Sequence, residues 1–229
     1  MISIAKAVYR GLFPAALREK ISYGLEWAKL VLNYRLMRSS LLNSIHRFGA
    51  WPHALYIEGT NICNARCAFC AYPQMERPKV TMTMEVFRKA IDEYLRLGPA
   101  EIDLTPIVGD PFADKYLFER LDDLAARPEV KRFHFYTNAV LLKTDQLDRL
   151  MGYGERFWIF CSLGGFDREV YHRVMGIDKF EEAVSAIRAL IEAKIRTGSP
   201  MRINVNLRVP LGSEGGEFWD YLRRRRDEG

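Results

Sequence analysis

The sequence predicts an α/β fold, built of β/α units around a parallel sheet. Two observations carry that reading. From Trp51 onward, short strand-like runs alternate with stretches whose apolar residues recur at helical spacing, the order that winds a parallel sheet. The helical stretches also have readable ends, where a capping residue opens the pattern or Gly and Pro close it. At 229 residues, with 48% hydrophobic and 28% charged residues, the chain has the size and composition of a soluble globular protein with one sizeable core. No apolar stretch approaches the length of a membrane-spanning helix.

Residues 1–50 read as a basic amphipathic helical arm. They hold Lys6, Arg10, Arg18, Lys20, Lys29, Arg35, Arg38 and Arg47 against only Glu19 and Glu26, a net +6 that leaves the rest of the chain at −1 of the total +5. Helical spacing runs from about Ala15 to His46, through Leu17, Ile21, Leu25, Ala28 and Leu32, with Tyr23, Trp27, Leu30, Tyr34 and Met37 beside them. A face this broad is expected to pack on the domain that follows. Peripheral contact with an anionic membrane surface is the less favoured alternative. Charges from Lys6 onward exclude a signal peptide, and the near-neutral remainder argues against nucleic-acid binding.

Residues 51–229 form the core domain. Strands are expected at about 54–60, 100–106, 132–137, 157–162 and 201–209. Thr83 caps a helix carrying Phe87, Ala90, Ile91 and Tyr94, with Gly98 as its stop. Asp114 to Arg127 repeats the pattern through Leu117, Leu121 and Leu124 and halts at Pro128. A weaker helix covers 144–151, and Lys179 to Thr197 forms another through Ala183, Ile187 and Leu190, ending at Gly198. The basic run Arg223 to Arg226 reads as a solvated helix terminus.

The strands carry a second message. Alternation in 201–209 puts Ile203, Val205 and Leu207 on one face and Asn204, Asn206 and Arg208 on the other, whereas a strand covered by helices on both faces is nearly all apolar. Tyr56, Glu58 and Thr60 repeat the pattern in the first strand, and Asp103 and Thr105 in the second. The sheet is therefore expected to enclose a hydrated or ligand-filled lumen.

After the first strand comes Cys63-Asn64-Ala65-Arg66-Cys67-Ala68-Phe69-Cys70. Three thiolates this close suit one iron-sulfur cluster, and three cysteines leave one iron of a 4Fe-4S cluster free to bind a small molecule. Structural zinc would want a fourth ligand, and His46, His53, His134 and His172 lie outside the usual knuckle spacing. The histidines His134 and His172 have no carboxylate at a telling spacing. Cys161 has the opposite strand parity to Ser162 and reads as a core residue. Four cysteines and no secretory segment indicate a reduced, cytoplasmic protein.

The cysteine run, with the aromatic Phe69 before its last member, resembles the signature of the radical S-adenosylmethionine (SAM) superfamily. The resemblance implies a partial (β/α)6 TIM-like barrel over the core, here truncated after the fifth strand. It implies a 4Fe-4S cluster on Cys63, Cys67 and Cys70, with SAM bound to the open iron through its amino and carboxylate groups. Reductive cleavage of SAM would then yield a 5'-deoxyadenosyl radical that abstracts hydrogen from a substrate, with electrons from an external donor such as flavodoxin or ferredoxin. Val108-Gly109-Asp110-Pro111 resembles the family's Gly-Gly-Glu-Pro loop, which holds the SAM amino group, and Asp110 replaces glutamate. Thr137-Asn138 resembles the start of Thr-Asn-Gly, with Ala139 for glycine. Ser162-Leu163-Gly164-Gly165 resembles a Ser-Ile/Leu-Asp-Gly segment whose serine contacts SAM, with Gly164 for aspartate, and Tyr171 to Gly176 fits the stretch that follows it. The implied SAM contacts are thus Phe69, Gly109, Asp110 and Ser162. Ile57 through Cys70 is most similar to members that often carry a cysteine-rich SPASM domain, which this sequence lacks. The substrate stays open between a peptide and a sugar or other small molecule. The alternative is a non-catalytic iron-sulfur or zinc-binding scaffold, for which the missing sixth strand speaks.

Overall fold

A computed structural model of the chain describes residues 24–32, 34–35, 53–105, 107–209 and 212–227. Two compact units result, Met1–Trp51 and Pro52–Gly229. In the first, residues 24–32 and 34–35 are helical, and the rest of the helix expected over 15–46 lies outside the described residues.

The second unit is a five-stranded parallel sheet in the order β1-β2-β3-β4-β5. The strands are β1 (Ala54–Tyr56), β2 (Ala100–Asp103), β3 (Val130–Thr137), β4 (Phe157–Leu163) and β5 (Arg202–Leu207). Between them run α1 (Met84–Leu95), α2 (Leu117–Ala125), α3 (Leu147–Met151), α4 (Arg168–Met175) and α5 (Phe180–Thr197), and α6 (Gly216–Asp227) follows β5. All four strand pairs are parallel, which is the α/β architecture expected from the alternation. Among the described residues no helix is long and apolar enough to cross a membrane.

Several boundaries differ from the sequence reading, each for a local reason. β1 stops at Tyr56 because the chain leaves the sheet: Thr60 forms an antiparallel bridge with Thr81. Its hydroxyl lies 3.0 Å from that of Thr81, so Thr60 does not join the lumen-facing row. The strand β2 ends at Asp103, whose carboxylate accepts the Thr105 N–H at 2.8 Å and turns the chain. Helix α2 begins at Leu117 rather than Asp114, since the Asp114 carboxylate accepts from the Tyr116 N–H (2.8 Å) and holds a turn. Helix α4 was not anticipated. Asp167 caps it by accepting from the Val170 N–H at 2.8 Å, and left-handed Gly176 closes it.

The core lies between sheet and helices. Phe87 and Ile91 of α1, Leu121 and Leu124 of α2, Leu150 of α3 and Ile187 and Leu190 of α5 are fully buried with Ile102, Phe133, Phe135, Phe157, Ile159 and Leu163. Burying each such side chain contributes about 1.5–3 kcal/mol. Cys161 belongs to this cluster, as its parity indicated. The register aligns Asp103, His134, Trp158 and Arg202, then Tyr136, Phe160 and Asn204, then Ser162 and Asn206. The polar positions of successive strands therefore share the other face.

Candidate functional site

A cavity of about 290 Å³ opens at the carboxyl ends of the strands. It brings together Cys63, Cys67, Phe69, Cys70, Gly109, Asp110 and Ser162, every site residue singled out in the sequence.

The approach to the cysteine loop is tightly built. Arg120, only 1% exposed, donates through Nε to Asp114 Oδ2 (2.8 Å) and through a terminal nitrogen to the carbonyls of Gly59 and Met82. Its guanidinium lies over the rings of Phe87 (4.8 Å) and Tyr116 (5.7 Å). A Cβ on Gly59 would come within 2.9 Å of the Asp114 carboxylate. The Asn61 side chain then clamps the returning chain, donating to the Pro78 carbonyl (2.8 Å) and accepting from the Val80 N–H (2.6 Å). Gly109 has φ +100°, and a Cβ there would lie 2.2 Å from the Thr60 carbonyl oxygen. Only glycine permits that close approach, which brings the β2 loop against the start of the cysteine run: the Asp110 N–H donates to the Ile62 carbonyl at 2.9 Å.

The loop's other flank rests on α4. The N–H groups of Arg66 and Ala68 donate to the carbonyls of Met175 (3.2 Å) and Val174 (2.9 Å), which the end of a helix leaves without intrahelical partners. Gly176 has φ +67°, and a Cβ there would stand 2.3 Å from the Arg66 carbonyl oxygen. Gly164, where aspartate is usual, is explained by Met175: a Cβ would meet its Cγ at 2.4 Å.

The donor set fits an iron-sulfur cluster. Backbone N–H groups point at two of the sulfurs, Ala65 to Cys63 Sγ and Tyr72 to Cys70 Sγ, both at 3.4 Å, an arrangement that stabilises thiolate ligands. Burial pushes the Cys63 thiol up to about 12, partly offset by the Ala65 N–H, and the Cys67 thiol up to about 11. Bound metal offsets that penalty by its charge. Among the described residues no three His, Cys, Asp or Glu side chains converge to hold a single metal ion.

Asp110, 1% exposed, accepts three hydrogen bonds: from the Phe112 N–H (3.0 Å), the Thr137 hydroxyl (2.8 Å) and the Asn138 N–H (3.0 Å). Burial raises its pKa, against the pull of those three donors. Phe69 is 52% exposed, and the Arg208 guanidinium sits 5.4 Å from its ring centre. The charge of Arg208 also works to lower the Cys67 pKa, against the larger effect of burial.

Sequence reasoning missed two features. Met175 lines the cavity, with its sulfur 4.0 Å from Cys67 Sγ. His134, set aside for want of a carboxylate, has Asp103 Oδ2 at 3.4 Å from its Nε2. The signal lay in cross-strand register, which places Asp103 opposite His134.

A family model described as the radical SAM superfamily matches residues 57–211. A probable GTP 3',8-cyclase of Thermococcus kodakarensis is 29% identical over 177 residues, covering 77% of this chain and 54% of that protein. A GTP 3',8-cyclase of Stenotrophomonas maltophilia is 30% identical over 185 residues, covering 78% and 53%. The chain thus spans about half the length of the curated relatives it matches. Among solved structures, Streptococcus suis SuiB bound to SAM superposes with a TM-score of 0.56 at 16% identity, over 92% of this chain and 57% of SuiB. SuiB bound to its precursor peptide SuiA gives the same TM-score and identity over 83% and 45%.

Proposed function

The chain belongs to the radical SAM superfamily, and on that premise we propose that it is an enzyme whose cluster is held by Cys63, Cys67 and Cys70. The family's cofactors are a 4Fe-4S cluster and SAM. When bound, they supply reductive cleavage of SAM to a 5'-deoxyadenosyl radical, which abstracts a hydrogen atom from the substrate. One observation carries the reading: three thiols, two of them with N–H donors at their sulfurs, share a cavity with Gly109, Asp110 and Ser162 at parallel strand ends.

In this reading the residues divide the work. Gly109 lets the β2 loop close on the cysteine run, and its backbone together with Asp110 would hold the SAM amino group. Ser162 would contact SAM from β4, and Phe69 would contact it from the cysteine loop. Arg208 brings a positive charge to the rim beside Cys67, where it would pair with the SAM carboxylate. Asp103, Thr105 and Tyr136 line the side open to the substrate. That substrate is a peptide, as in the complex of SuiB with SuiA, or a small molecule bearing a sugar, a class that includes the GTP of the cyclases. An external donor such as flavodoxin or ferredoxin supplies the electron, and the cytoplasm keeps the thiols reduced.

The test is anaerobic reconstitution with iron and sulfide. The protein is expected to take up about four irons per chain and to convert SAM to 5'-deoxyadenosine once reduced. Cys67→Ala should lose both, whereas Cys161→Ala should keep both. Stoichiometric zinc without iron uptake would overturn the assignment, and an intact cluster that neither binds nor cleaves SAM would favour a non-catalytic scaffold.

A further inference from the structure

We infer that Asn64 and Asn138 are positioning residues that set the first cluster thiol, Cys63, relative to the ends of β2 and β3; the inference rests on the cysteine assignment above. The two flanks of the cysteine loop are held differently. On one flank, backbone N–H groups of Arg66 and Ala68 dock on the last carbonyls of α4. On the other, the ties enclose Cys63 from both sides. Before it, the Ile62 carbonyl accepts from the Asp110 N–H at 2.9 Å. After it, the Asn64 side chain pairs with that of Asn138, the Asn138 amide donating to Asn64 Oδ1 at 2.8 Å and the Asn64 amide donating back at 3.4 Å. The two ties meet, because the Asn138 N–H donates to Asp110 Oδ2 at 3.0 Å. A closed ring of hydrogen bonds therefore runs from Ile62 through Asp110, Asn138 and Asn64 round Cys63.

The ring has little freedom. Asn138 is 5% exposed, and its Oδ1 also accepts from the Val140 N–H at 3.0 Å. That bond fixes which end of the amide is oxygen, so the NH2 group must face Asn64. The Thr137 hydroxyl donates to Asp110 and accepts from the Ala139 N–H at 2.9 Å. Ala139 is held at φ +62°, a left-handed conformation that a non-glycine residue keeps only where its surroundings enforce it. A strained turn, a buried carboxylate and a paired amide are thus all committed to one tie on the loop, and the tied atom, Asn64 Oδ1, lies 4.0 Å from Cys63 Sγ.

Two measurements on Asn64→Ala, Asn138→Ala and the double variant test this. In the metal-free protein, the rate of Cys63 alkylation, read by mass spectrometry, should rise about fivefold to tenfold in each single variant, the factor carried by one lost hydrogen-bonded pair. The rate at Cys161 should stay unchanged. In the reconstituted protein, iron content should hold because all three thiols remain, while the electron paramagnetic resonance spectrum of the reduced cluster changes and SAM binds more weakly. The double variant should match the single ones, since both remove the same pair. Should Asn138→Ala fail to fold, half-buried Asn64→Ala carries the test alone. Unchanged Cys63 reactivity and spectrum in Asn64→Ala, or additive losses in the double variant, would refute the inference. Wild-type protein that takes up no iron would defeat the cluster assignment instead, while the alkylation result would still judge the ring.

Discussion

Arg120 is the residue most committed to the site without touching it. A guanidinium taken out of water is costly unless paired, and here Asp114 pairs with it while the Gly59 and Met82 carbonyls take further N–H bonds. Replacing it by Leu should destabilise the protein by about 3–5 kcal/mol, because Asp114 is left as a buried charge without its partner; urea denaturation midpoints measure this. Asp114→Leu combined with Arg120→Met should recover part of the loss, as removing both charges leaves none uncompensated. Gly164 makes a related point on the opposite flank. Its missing side chain is the space Met175 fills beneath the cysteine loop, so a departure from the family pattern at one residue answers a bulky neighbour eleven positions on.

At the scale of elements, α4 matters most for the site. Its N-cap, Asp167, and its left-handed close at Gly176 fix a helix of eight residues, and its last carbonyls serve as the shelf for Arg66 and Ala68. Gly176 and Gly198 allow a controlled comparison, since both end helices at nearly equal angles, φ +67° and +62°, but a Cβ on Gly198 meets nothing within 4 Å. Gly198→Ala should therefore cost only the left-handed penalty, about 1–2 kcal/mol, and leave iron uptake intact. Gly176→Ala should cost more and lower the iron retained per chain, because its Cβ drives the Arg66 carbonyl, and with it the cysteine loop, off the helix. Thermal unfolding with iron analysis of the reconstituted variants checks both. The strand β1 illustrates the same competition: the Thr60 bridge to Thr81 takes the chain from the sheet early so that the loop can turn over the strand ends.

At the scale of the molecule, the hydrophobic cluster of the second unit begins at Ile57, so that unit owns its core among the described residues. We propose, from the breadth of the arm's apolar face, that removing residues 1–50 leaves a protein with a single cooperative unfolding transition but a lower midpoint and a greater tendency to aggregate. Far-UV circular dichroism and light scattering measure these. Salt-sensitive co-sedimentation of the intact protein with acidic vesicles, combined with an undiminished midpoint after removal, would assign the arm to a membrane surface instead.

The sequence by itself determined the fold class and the core role of Cys161, and it named the three thiols proposed to hold the cluster. Each is written in local pattern: helical or two-residue periodicity, a three-cysteine spacing, the parity of neighbours in one strand. It also named Gly109, Asp110 and Ser162, because each sits in a short run at a strand end. Tertiary structure alone decided what those residues touch. Asp103 meets His134 through the β2–β3 register, Asn64 meets Asn138 across 74 positions, and Arg120 reaches Gly59 across 61. Each of these contacts joins segments that only strand order and helix packing bring together. A short run of residues sets the conformation of its own backbone, but the partner of a side chain is chosen by whichever distant segment the packed core delivers to it.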